Sequence, residues 1–242
     1  MTTPTLLDRF AATLAGKRVA RLIRERFRAT LTGAEHVPRE GAALLVGNHT
    51  LLGVDSIVLT ALLQLEVGRA PRFLAERNLF RAPFARALFD AIGAVPGEPE
   101  AATRLLTEGE LVGVYPGGVD DSFKLARDAY TLRWGERAGF ARVAMRARAP
   151  IVPMAALGID ELFSVIAHEP WLGRALLGDA RYDLPIVASL VPRDVPLRYH
   201  ALPPVDTAGD PEDPADVARV RQATFDALES VLAPYRAELA AR

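Results

Sequence analysis

From residue 42 onward, short apolar runs alternate with longer stretches of helical periodicity, and this alternation restricts the chain to a layered α/β fold. Residues 42–46 (AALLV), 72–75, 111–115 (LVGVY), 151–155 (IVPMA) and 197–201 are short and mostly aliphatic, and they read as strands. Residues 55–67, 82–92, 98–108 and 137–148 read as helices, most of them opened by Asp, Pro or Glu, as the helix dipole favours. Strands separated by helices pair in parallel, so the expectation is a central, mostly parallel sheet flanked by helices. Residues 214–242 read as one long polar helix interrupted at Pro234. Residues 117–136 and 166–184 fit neither period and are expected to form substrate-covering loops.

A chain of 242 residues, half of them hydrophobic, buries one sizeable core. The formal net charge of -1 gives no excess of cations for nucleic acid. Cysteine is absent, which excludes disulfides, thiolate metal sites and a cysteine nucleophile, and suits a reducing cytosol. The histidines His36, His49, His168 and His200 are scattered, with no helical pair of metal-ligand spacing, so no metal is expected. No run of eighteen uncharged apolar residues is present, and Asp8 and Arg9 come too early for a signal peptide.

Residues 4–30 have helical periodicity, with Leu6, Leu7, Phe10, Leu14, Val19, Leu22, Ile23 and Phe27 apolar among Arg9, Lys17, Arg18, Arg21, Arg24, Arg26 and Arg28. A basic amphipathic helix of this kind suits an anionic membrane surface, where each cation contributes roughly 1 kcal/mol. The expected organisation is a basic helix over residues 1–31 and one domain over residues 32–242, cytoplasmic and peripheral on the membrane.

The strand AALLV runs directly into Gly47, Asn48 and His49, which places an imidazole at the carboxyl end of a strand, where open α/β sheets bind ligands. Asp55 follows six residues later. On a regular helix the two would be about 120° apart, so they meet only if the chain bends, and Gly53 can supply the bend. An Asp bonded to one ring nitrogen fixes the tautomer and leaves the other nitrogen to accept a proton. Asp55 is equally well placed to cap the apolar helix that follows it.

With these residues in view, the chain resembles the glycerolipid acyltransferase superfamily, which includes the lysophosphatidate acyltransferases. Asn48, His49 and Asp55 match its first motif, with five residues between His and Asp where the family usually has four. Residues 73–97 (FLAERNLFRAPFARALFDAIGAVPG) resemble its second block, YPGGVDDS over residues 115–122 its third, Phe-Pro-Glu-Gly-Thr-Arg-Ser, and PIVPMAALG over residues 150–158 its fourth. The pairing of Asn-His-Thr-Leu-Leu-Gly with Pro-Gly-Gly-Val is more similar to the diacylglycerol acyltransferase-like and phytyl ester synthase-like branch. No Gly-x-Ser-x-Gly elbow is present, so the hydrolase domain of some members is not expected.

The resemblance implies acyl transfer from acyl-CoA or acyl carrier protein to a lipid hydroxyl, with no resident cofactor. His49 is implied as the general base and Asp55 as its orienting acid. Asn48, Arg77, Tyr115, Pro116, Gly117, Gly118 and Asp120 are implied as substrate-binding, with Gly117 and Gly118 offering backbone N–H groups to the oxyanion. The third block has Gly117 in place of the family's Glu and Asp120 in place of its Arg. Asp120 and Asp121 would repel a phosphate, which favours a neutral acceptor such as diacylglycerol or a long-chain alcohol, unless Arg77 or Arg81 supplies a cation. An acyl slot is looked for beneath a loop carrying Phe123, Tyr130, Leu132 and Trp134, although these aromatics read more readily as plain core. Ser56 and Ser122 are the remaining nucleophile candidates. Two other functions are compatible with these residues: a lipid-binding membrane module without chemistry, and an acyl-thioester hydrolase that uses water.

Overall fold

The computed structural model describes residues 13–75, 93–169 and 184–241. Arg77, Arg81, the expected helix over residues 82–92 and most of the second block lie outside these residues.

A seven-stranded sheet organises the chain, in the order β1-β9-β6-β2-β5-β3-β4. Its strands are β1 (Thr30–Thr32), β2 (Ala43–Gly47), β3 (Arg72–Ala75), β4 (Val95–Pro96), β5 (Leu111–Val114), β6 (Ile151–Leu157) and β9 (Arg198–Ala201). Neighbours pair in parallel except β6 and β9, which run antiparallel from Met154 opposite Ala201 to Leu157 opposite Arg198. The mostly parallel α/β sheet expected from the alternation is therefore present. Every residue of β2 and β6 is buried, so both faces of the sheet centre are covered, which explains why these runs are continuously aliphatic rather than alternating.

The covering helices are α1 (Leu14–Arg26), α2 (Val54–Glu66), α3 (Pro99–Thr107), the short α4 (Val119–Ser122), α5 (Gly139–Ala147) and α6 (Pro214–Ala240). α1 packs on α2, α3 on α5, and α6 on both α5 and β6. Asp213 caps α6 by accepting from the Ala215 N–H, and Pro214 starts it. Pro234 does not interrupt α6. It withholds one ladder hydrogen bond, but Leu228 and Leu232 before it and Tyr235 after it are all buried and hold the helix on the core.

Two short elements escape the sequence pattern. The antiparallel ribbon of β7 (Val165–Glu169) and β8 (Leu184–Val187) overlaps the two ends of the stretch 166–184 read as irregular. β1 straddles residue 31 and pairs with β9, so the N-terminal helix is tied into the sheet and the expected boundary falls inside a strand. α1 buries only its small residues Gly16 and Ala20. Leu14, Val19 and Leu22 stay exposed, as do Lys17, Arg18 and Arg21. No helix among the described residues is long and apolar enough to cross a membrane.

Candidate active site

β2 lies between β5 and β6, all three parallel, so their carboxyl ends open on one side of the sheet. His49 follows β2 there and Tyr115 follows β5. The chain between them and the core is anchored by its neighbours. Asn48 was expected to bind substrate, but it is 1% exposed and both ends of its carboxamide are taken. Nδ2 donates to the Ala156 carbonyl at 2.8 Å and Oδ1 accepts the Ala156 N–H at 2.8 Å. The carboxamide thus continues the β2–β6 ladder one step past the end of β2. Thr50 donates to the Ile159 carbonyl at 2.9 Å. His49 is held between two tethers to β6 and its exit.

Beyond Thr50 the backbone turns sharply. Leu52 and Gly53 are both left-handed, with φ of 61° and 64°, which returns the chain to start α2 at Val54. Gly53 tolerates this conformation freely, whereas Leu52 is strained and 62% exposed. The bend brings Asp55 Oδ2 to 2.9 Å from His49 Nδ1. Asp55 sits in the first turn of α2 and does not act as its cap; that position falls to Gly53. The Asp55 side chain is fully buried and that of His49 is 20% exposed. Asp55 Oδ1 has no hydrogen-bond partner among the described residues, and its backbone carbonyl accepts from Tyr199 Oη at 3.0 Å.

Tyr115 stacks on the imidazole, with ring centroids 4.2 Å apart and planes 7° from parallel, and Phe73 also stacks on Tyr115 at 5.5 Å. Ser56 Oγ donates to Tyr115 Oη at 3.2 Å. Burial first, and the charge of Asp55 second, hold the Tyr115 and Tyr199 phenols well above their ordinary range, so both remain protonated beside the carboxylate. Ser56 is engaged with Tyr115, and Ser122 Oγ donates back to the Gly118 and Val119 carbonyls. Neither hydroxyl is aimed at a base.

The third block makes a tight turn. Pro116 and Gly117 are buried, and the Gly118 N–H donates to the Tyr115 carbonyl at 2.9 Å, so it is not available to an oxyanion. The Gly117 N–H has no acceptor among the described residues. Asp120 does not stand as an open negative charge. Arg137 pairs with it at 2.5 Å and also donates to the Gly117 carbonyl at 3.2 Å. Sequence periodicity had placed Arg137 at the start of a helix, which begins instead at Gly139. Asp121 and the ion pair of Lys124 with Asp160 at 3.1 Å are buried nearby.

The aromatic loop takes the core reading rather than forming a slot. Tyr130, Leu132 and Trp134 are buried, Trp134 packs edge-on against Phe140 and Phe225, and Tyr130 bonds Glu161 and the Gly158 N–H. These side chains are core. A small cavity of about 10 Å³ lies next along the chain from His49, lined by Thr50, Leu51, Ser122, Lys124, Phe163 and Val165, and is too small for an acyl chain. A roomier groove around Glu100, Thr103, Arg104 and Arg146 contains none of these groups.

Residues 28–157 match the family model described as Acyltransferase. The bovine protein named "DGAT1/2-independent enzyme synthesizing storage lipids" is 34% identical over 131 residues, 54% of this chain and 39% of that one. An uncharacterized protein of Mycobacterium tuberculosis is 34% identical over 151 residues, 61% of this chain and 42% of that one. The chain thus spans about two fifths of the length of these relatives. In fold, it superposes on the 1-acyl-sn-glycerophosphate acyltransferase of Thermotoga maritima with a TM-score of 0.56 at 16% identity, covering 93% of this chain and 87% of that one. The chain belongs to the acyltransferase family.

Proposed function

We propose that the chain transfers a fatty acyl group from a thioester, carried by coenzyme A or acyl carrier protein, to the hydroxyl of a lipid acceptor. The observation that carries this reading is the 2.9 Å contact between His49 Nδ1 and buried Asp55. It leaves Nε2 without a partner among the described residues and the ring partly exposed at the carboxyl ends of parallel strands. Nε2 takes the proton of the acceptor hydroxyl while that oxygen attacks the thioester carbonyl. The tetrahedral oxyanion then collapses, the carbon–sulfur bond breaks, and the imidazolium protonates the departing thiolate. Positioned proton transfer of this kind contributes about 10² to 10⁴ in rate, and the rest comes from orientation and oxyanion stabilisation, to which the Gly117 N–H is suited.

A neutral acceptor is favoured on two grounds. The bovine relative is named as an enzyme synthesizing storage lipids. The third block, residues 115–122, carries no cation of its own, and Arg137, which reaches it from outside, is occupied by Asp120. α1, with Lys17, Arg18 and Arg21 facing out, supplies the contact with an anionic bilayer on which such acceptors reside.

The test supplies labelled acyl-CoA and acyl carrier protein with a panel of lipid alcohols. Ester formation that disappears in His49→Ala is the expected result. Free fatty acid in place of ester would reassign the chain as a thioester hydrolase, and neither product would reduce it to a lipid-binding module.

A further inference from the structure

Position 117 has no side chain, yet the space beside its Cα is occupied. A Cβ built on Gly117 would lie 2.2 Å from both Cγ and Oδ2 of Asp121. Gly117 lies in the turn just before α4 and Asp121 is the third residue of that helix, so the Asp121 carboxylate folds back past the helix start into the volume that a residue-117 side chain would fill. In the family's third block that side chain is Glu. Here an acid supplied from four residues downstream occupies that volume.

The environment of Asp121 is costly for a residue that only fills space. It is completely buried, its Oδ1 accepts the Arg133 N–H at 2.7 Å, and its Oδ2 has no hydrogen-bond partner among the described residues. Lys124, Asp160 and His49 all act on it electrostatically. Lys124 is committed to Asp160, so Asp121 is the carboxylate of this group left without a direct ion pair among the described residues. An Asn would keep the shape and the bond to Arg133 without burying a charge. A fully buried acid with one oxygen unpaired among the described residues, within electrostatic reach of His49, is characteristic of a functional site.

We infer that Asp121 is a positioning residue for acyl transfer, standing in for the absent side chain at 117 and setting the Gly117–Gly118 turn and the local field beside His49. This rests on the acyl-transfer reading above, so ester formation by the wild type and its loss in His49→Ala are established first. If the wild type forms no ester, that reading fails. Asp121→Asn is expected to lower kcat at least tenfold, to change the donor KM less than twofold, and to leave the melting temperature at or above that of the wild type. A kcat within twofold of the wild type would overturn this inference alone. Gly117→Glu by itself has no room and is expected to be inactive. Combined with Asp121→Gly, it is expected to recover at least tenfold over Asp121→Ala. If Asp121→Asn is impaired but the double variant folds and gains nothing over Asp121→Ala, the stand-in role is wrong.

Discussion

The imidazole of His49 lies flat on the phenol of Tyr115, with centroids 4.2 Å apart and planes within 7°, while Asp55 holds the ring by its Nδ1 edge. One contact fixes the plane and the other fixes the rotation within it. The Nε2 edge has no partner among the described residues. Phe73 also stacks on Tyr115, with centroids 5.5 Å apart, so the platform is itself braced.

Removing the platform and removing its hydroxyl should therefore have different effects. Tyr115→Phe keeps the stack and loses only the acceptor for Ser56, and is expected to retain kcat within about threefold. Tyr115→Ala frees the ring to swing. An aromatic pair is worth roughly 0.5–1.5 kcal/mol, so kcat is expected to fall about tenfold with a smaller change in KM. Equal kcat for the Ala variant and the wild type would show that stacking does not orient the base.

Much of this arrangement was legible in the sequence because it is local. His49, the Gly53 bend and Asp55 lie within seven residues, and the strand before them is a plain aliphatic run. Contacts that depend on the sheet order were not legible. Tyr199 reaches Asp55 across 144 residues, through a strand whose antiparallel direction no local pattern reveals. The role of Asn48 was misjudged for a related reason. A polar residue beside a catalytic candidate suggests a ligand contact, and nothing nearby shows that the edge of β6 consumes its amide. Arg137 was hidden because helical periodicity absorbs a residue two positions before the true helix start.

Asn48→Ala should consequently act first on stability. It leaves the Ala156 N–H and carbonyl buried without partners, an expected loss of about 2–4 kcal/mol from two bonds and their desolvation. Chemical denaturation measures it directly. A loss below about 0.5 kcal/mol would mean that water or a shifted backbone replaces the carboxamide. Turnover per folded molecule should fall as well, because Asn48 holds one side of the loop that carries His49.

Pairing of Asp120 with Arg137 gives acceptor charge a handle. The pair is half-exposed, so breaking it costs folding stability less than about 1 kcal/mol. Asp120→Ala releases the Arg137 guanidinium beside Gly117, where it becomes available to a phosphate. The ratio of kcat/KM for a lysophosphatidate-type acceptor to that for a neutral alcohol is expected to rise about threefold to tenfold, in keeping with roughly 1 kcal/mol. An unchanged ratio would place the acceptor headgroup away from this turn.

Of the five cations on α1, Lys17, Arg18 and Arg21 are open among the described residues, whereas Arg24 pairs with Glu66 and Arg26 reaches the Pro192 carbonyl at 3.5 Å. Replacing Lys17, Arg18 and Arg21 by Gln leaves the packed residues Gly16 and Ala20 untouched, which deletion of the helix would not. At roughly 1 kcal/mol per cation, binding to phosphatidylserine vesicles should weaken about a hundredfold at low salt, with a smaller difference at high salt. Unchanged co-sedimentation of the triple variant would remove α1 from the membrane contact.

Asp121 also predicts an unusual pH dependence of stability. Burial raises its carboxyl above the ordinary range, against the opposing charge of Lys124 and the N–H of Arg133. An acid raised in this way holds its proton more tightly in the folded state than in the unfolded one. Folding is therefore penalised once the pH climbs past the unfolded value of about 3.9, and the penalty is complete above the folded value. Below both values it vanishes. Asp121→Asn carries no such penalty, so its melting temperature relative to the wild type should rise as pH increases from about 3 toward neutrality and converge with it in acid. A gap that stays flat with pH would mean the carboxylate is accommodated at no cost, and one that narrows would mean its charge supports the fold. A widening gap, with turnover lost in the same variant, would mark Asp121 as kept for the reaction at the expense of stability.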